Sequence, residues 1–170
     1  GHRLLHLPAV PLCRQPGGRL MKGLKVSSSY SVYYYSNLST CYAKISLDYL
    51  TAFQFQGIAV DIANQYYNKQ SKEDLIELLK LKCDETKYLM GLFELHRDEP
   101  DEYKKRMESI RETIYLIVGL GEKKLDKTSP LLADFYILLT NFHIGLNELE
   151  DAYELCISVL SEANFDTYSS

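Results

Sequence analysis

The stretch from residue 130 to 160, PLLADFYILLTNFHIGLNELEDAYELCISVL, constrains the fold more than any other part of the chain. It reads as two amphipathic helices folded back on each other through a short turn. Ser129 and Pro130 open the first helix as N-cap and first residue, and Gly145-Leu-Asn147 ends it. Asn147, with Glu150 three residues later, predicts the cap of a second helix reaching about Ala163. A hairpin of this kind cannot bury its apolar stripe alone, so it needs further helices stacked on it.

The rest of the chain supplies them. Pro8, Pro11, Pro16, Gly17, Gly18, Gly23 and the serines at 27–29 predict loop over residues 8–29. Tyr33, Tyr34, Leu38, Cys41, Tyr42 and Ile45 then recur at helical spacing, and Leu50, Phe53, Ile58 and Ile62 carry a second helix to about Tyr66. Ser71 followed by Asp74 caps a third, from Lys72 to about Leu95. Pro100 opens a fourth, in which Tyr103, Met107, Ile110, Ile114 and Ile117 form one core stripe, with Gly119 and Gly121 as terminators. Ser31–Tyr35 is the only β-like run. The expectation is all-α: an irregular basic leader over 1–29, then six helices in three stacked antiparallel hairpins over 30–170.

Charge divides the chain unevenly. Residues 1–47 contain no Asp or Glu but hold six Lys and Arg, while from Asp48 onward thirteen Lys and Arg face all 23 acidic residues. The basic, acid-free start is similar to an organelle transit peptide; an irregular leader ahead of Met21 accounts for it equally. The acidic remainder excludes a phosphate-tracking stripe, hence nucleic acid. The longest apolar run, Tyr115–Leu120, is far short of the ~18–20 residues that span a bilayer, so no membrane partner is expected. Cys13, Cys41, Cys83 and Cys156 form no CxxC pair, which fits a reducing, cytoplasmic setting, with Cys41 and Cys156 expected to act as small hydrophobes on apolar helix faces. His2, His6, His96 and His143 show no ligand spacing with them, so neither metal nor cofactor is expected.

Two family resemblances follow from the helical pattern. Tyr136, Leu139, Thr140 and His143, then Ala152, Cys156 and Val159, resemble a tetratricopeptide hairpin. Tyr35, Leu38, Ser39 and Tyr42, then Ala52, Gln56 and Ala59, resemble a second. In both, small residues let paired helices approach while an aromatic fills the groove. The segment 128–155 is also similar to the C-terminal part of 14-3-3 proteins, and Tyr88–Phe93 to an earlier helix of that family. In that comparison the phosphate-holding Arg-Tyr pair falls on Leu95 and His96, and the peptide-clasping Asn on Leu138, with Asn141 one turn away.

Catalysis is not expected. The acids at 98–102 and 148–151 lie at helix starts, where they stabilise exposed N–H groups, and no nucleophile completes a constellation. His143 reads as a core histidine standing where the repeat wants an aromatic. Fourteen tyrosines without a Trp, crowded at 30–42, suit either an interface or a cap over the end of the stack. The expected function is non-enzymatic: an adaptor or scaffold holding a protein or peptide ligand on a concave face. The tetratricopeptide pattern places Tyr33, Ser36, Thr40, Lys44, Asp134 and Asn141 on that face, and Lys80 and Lys87 supply positive charge for an acidic or phosphorylated ligand. The competing readings are a 14-3-3-like reader of phosphoserine or phosphothreonine, for which a homodimer is expected, and a structural subunit of a larger assembly.

Overall fold

A computed structural model describes the backbone of residues 19–162 and the side chains of residues 27–162. Among the described residues there is no strand, and seven α-helices account for most of the chain. They are α1 (Arg19–Ile45), α2 (Tyr49–Tyr66), α3 (Lys72–Phe93), α4 (Pro100–Glu108), α5 (Arg111–Lys124), α6 (Pro130–Gly145) and α7 (Leu149–Glu162), with a 3₁₀ turn at Glu94–His96. The fold is all-α. No described helix is long and apolar enough to cross a membrane. The leader expected at the start of the chain lies, over residues 1–18, outside the described residues.

The described residues divide into two compact units, the division falling after Leu81, inside α3. In the first unit α1 and α2 form a hairpin whose core follows the small-and-aromatic pattern. Ser39, Ala52, Gln56, Ala59 and Ala63 are wholly buried, and Phe55 stacks between Tyr35 and Tyr42 at 6.0 and 5.7 Å between ring centroids. Asp48 caps α2, accepting from the Thr51 amide at 3.1 Å and its hydroxyl at 2.7 Å. The turn before it puts Leu47 at φ 53°, a left-handed conformation that a branched side chain adopts at a cost. Ser71 caps α3 through the Asp74 amide. The Gln56 amide donates to the Leu81 carbonyl at 3.0 Å and so ties the first half of α3 to α2.

α1 begins at Arg19, so residues 19–29 are helical and not loop. The serines suit a helix here: Ser31 returns its hydroxyl to the Ser27 carbonyl, Ser28 is buried, and Ser29 is hydrogen-bonded to Tyr67 at the end of α2. The tyrosines of α1 serve both expected purposes, with Tyr35 and Tyr42 in the core and Tyr30, Tyr33 and Tyr34 about two-thirds exposed.

In the second unit, the fourth helix expected over 100–118 is two helices. The Ser109 hydroxyl bonds back to the Arg106 carbonyl, and Ile110 sits at φ −107°, ψ 0°, ending α4 and starting α5 with the buried stripe Met107, Ile110 and Ile114 intact. Gly119 and Gly121 do not terminate α5, which runs to Lys124. Gly121 is instead the point where α5 meets α6: a Cβ there would lie 2.6 Å from the Phe135 ring. α6 and α7 pair as a hairpin, closed by Asn147 at φ 59° with the Glu148 amide bonded to the His143 carbonyl. Asn147 thus ends α6 and does not cap α7. Cys41 and Cys156 are exposed and not small core residues; Cys83 is the buried thiol, and burial pushes its pKa up to about 12.

Candidate peptide groove

The second unit contains an open groove of about 370 Å³ between the C-terminal half of α3 and α6. Lys87, Met90, Gly91 and Glu94 face it from α3 and its 3₁₀ extension, at spacings of three, one and three that share one helical face. Arg97 stands at the end, and Leu138, Asn141, Ile144 and Gly145 line the α6 side. Gly145 lets α6 approach α4 closely, since a Cβ there would lie 2.7 Å from the Tyr103 hydroxyl and 2.9 Å from the Met107 methyl.

The groove's charges are fixed to different degrees. The Arg97 Nε donates to Glu94 at 2.8 Å, and its guanidinium lies 4.8 Å from the centroid of the Tyr103 ring. Tyr103 is itself hydrogen-bonded to Glu94; burial first, and then that carboxylate, raise its pKa. Lys87 is held loosely, 3.7 Å from Asp84 and half exposed. A site that combines one anchored guanidinium, one loosely paired ammonium, an amide side chain and apolar walls of Met90, Leu138 and Ile144 can pair with an anionic group and clasp an extended backbone.

Of the residues singled out from sequence, Lys87 and Asn141 meet in this groove. Asp134 lies on α6, exposed, near enough to Cys83 to raise that thiol's pKa. Tyr33, Ser36, Thr40 and Lys44 lie on α1, and Lys80 on α3, all in the first unit. Tyr33, Lys44 and Lys80 are exposed, whereas Ser36 and Thr40 are half-buried, with the Thr40 hydroxyl engaged by the Ser36 carbonyl at 3.1 Å. Leu95 is exposed and His96 approaches Glu99 at 3.4 Å; the arginine on this groove is Arg97, two residues beyond Leu95. Sequence reasoning missed Arg97, Glu94 and Met90. The spacing of Lys87, Met90, Gly91 and Glu94 was the available signal.

A second polar cluster joins the end of α4 and the start of α5 to α6 and the turn before α7. Arg111 donates to Glu108 through Nε and Nη2 at 2.8 Å, to the Tyr115 hydroxyl at 2.9 Å and to Glu148 at 2.7 Å. The other oxygen of Glu148 meets Nδ1 of buried His143 at 2.9 Å. The Arg111 guanidinium holds both carboxyls below the ordinary Glu range. His143, Glu148 and Asp151 bring one ligand atom each within 4.8 Å of one another, a spacing that suits a metal ion. Both Glu148 oxygens are already engaged, one of them by a guanidinium whose charge opposes a cation, so the cluster reads as a clamp on the turn. His143 is therefore a core histidine with a polar partner. Nothing in the sequence connected Arg111 to Glu148, 37 residues away.

No protein-family model, curated protein or solved structure matches the chain.

Proposed function

We propose that this chain is a non-enzymatic, cytoplasmic adaptor that holds an extended acidic peptide of a partner protein in the groove between α3 and α6. The observation that carries the reading is the convergence of Lys87, Arg97 and Asn141 on one apolar-walled groove. The two cations recognise carboxylate or phosphate, Asn141 bonds the peptide backbone, and Met90 and Ile144 take an apolar side chain. The described cysteines, Cys41, Cys83 and Cys156, stand as free thiols, which supports a reducing compartment. The helical hairpins of α1–α2 and α6–α7 support a scaffold of the tetratricopeptide kind.

The phosphopeptide-reading alternative draws on the same pair of cations. Binding to an array of peptides in matched phosphorylated and unphosphorylated forms tests both. The adaptor reading expects saturable binding to particular acidic peptides in either form. A strict requirement for the phosphate moves the assignment to a phosphoserine or phosphothreonine reader. Binding to neither, or only to basic peptides, rejects the groove as a peptide site.

A further inference from the structure

The hairpin of α6 and α7 carries a second cleft, of about 400 Å³, between its two helices. Ala133, Ile137 and Thr140 line it from α6, and Cys156, Val159 and Leu160 from α7. Along α7, Leu149, Tyr153, Ile157 and Leu160 follow at steps of four, four and three, and each is about half exposed or more. That apolar stripe runs for about 16 Å, or three helical turns at ~1.5 Å per residue. It is the pattern of a helix face made to pack on another helix.

Charge says what kind. Residues 130–162 contain six Asp and Glu and no Lys or Arg. Glu148 is spent on Arg111, but exposed Glu150 and Glu154 border the α7 stripe. Lys127, beside Glu162 at the Pro130 end, is the nearby cation. An apolar trough with acidic banks is complementary to an amphipathic helix whose polar flanks are basic, and it repels an acidic one.

We infer that the α6–α7 face is a docking site for a basic amphipathic helix of a partner protein, on the other side of α6 from the α3–α6 groove and sharing Asn141 with it. Such a helix presents apolar residues at i, i+3, i+4 and i+7 to Ile137, Ile157 and Leu160, with Lys or Arg over Glu150 and Glu154.

Cys156 and Cys41 make this testable in the full chain, because both thiols are exposed but only Cys156 lines the cleft. The probe is a synthetic 14-residue Leu/Lys amphipathic helix, with its Leu/Glu counterpart as control; N-ethylmaleimide labelling is followed at each cysteine by peptide mapping. The Leu/Lys peptide is expected to slow Cys156 labelling about tenfold at saturation and leave Cys41 unchanged, while the Leu/Glu peptide protects neither. Glu150→Lys with Glu154→Lys, checked for an unchanged melting temperature, should abolish the protection. Equal protection by both peptides, protection of both cysteines, or an unchanged rate overturns the inference. Protection of Cys156 that rises with protein concentration in the absence of peptide overturns it in favour of a second copy of this chain.

Discussion

The two glycines of α5 show how much a single methyl decides. Gly121 and Gly119 are two residues apart on one helix, yet a Cβ at Gly121 strikes the wholly buried Phe135 ring while one at Gly119 meets nothing within 4 Å. Gly121→Ala should therefore cost about 1–3 kcal/mol through overpacking. Gly119→Ala should stabilise by about 0.5–1 kcal/mol, because Ala loses less backbone entropy in a helix. Chemical denaturation of both variants checks the pair. At Arg111, replacement by Met strips Glu148 and Glu108 of their common partner; both ion pairs are partly solvated, so a loss of about 1–2 kcal/mol is expected at neutral pH. The sign with pH is fixed. Carboxyls held below their ordinary value of 4.5 contribute stability above that pH and lose it as the pH falls through their folded values. The melting-temperature gap between wild type and Arg111→Met should accordingly narrow below pH 4.5, and a gap constant from pH 7 to 3 would show that the pairs do not act through charge.

Most helix ends were legible in the sequence, because caps and breakers are local. Ser71 with Asp74, Pro100, and Ser129 with Pro130 each mark a start, and each stands where α3, α4 and α6 begin. Elements failed where a local signal had two physical outcomes. Serines at 27–29 are turn formers in isolation, but here they lie within a helix in which Ser31 bonds back to the Ser27 carbonyl and Ser29 meets Tyr67. Gly121 reads as a stop, yet is the small residue that a close helix crossing needs. The stripe through Ile110 was visible, whereas the break at Ser109 was not, since it leaves the apolar spacing unchanged. The turn between α1 and α2 offers an element-scale check. Asp48→Ala should cost about 1 kcal/mol through loss of the α2 cap. Leu47→Asn, better suited to positive φ, should raise stability by about 0.5–1 kcal/mol. Thermal melts of the two variants should move in opposite directions.

For the whole molecule, the fold class was readable from the helical period, and the groove only in part. Lys87 and Asn141 were reached as separate hypotheses on separate helices; their meeting depends on how α3 and α6 lie together, which spacing along one chain does not encode. Arg97 enters because the chain leaves α3 through a 3₁₀ turn, a geometry the sequence did not announce. The charge asymmetry, by contrast, was plain from residue counts, and it underlies the basic partner inferred for the α6–α7 face. The central claim concerns the α3–α6 groove. Its most direct test is the affinity of Lys87→Ala with Asn141→Ala for the best-bound acidic peptide, measured by fluorescence anisotropy beside the melting temperature. The account predicts at least a tenfold loss, or about 1.4 kcal/mol, with no fall in melting temperature. Unchanged affinity in a fully folded variant would contradict it.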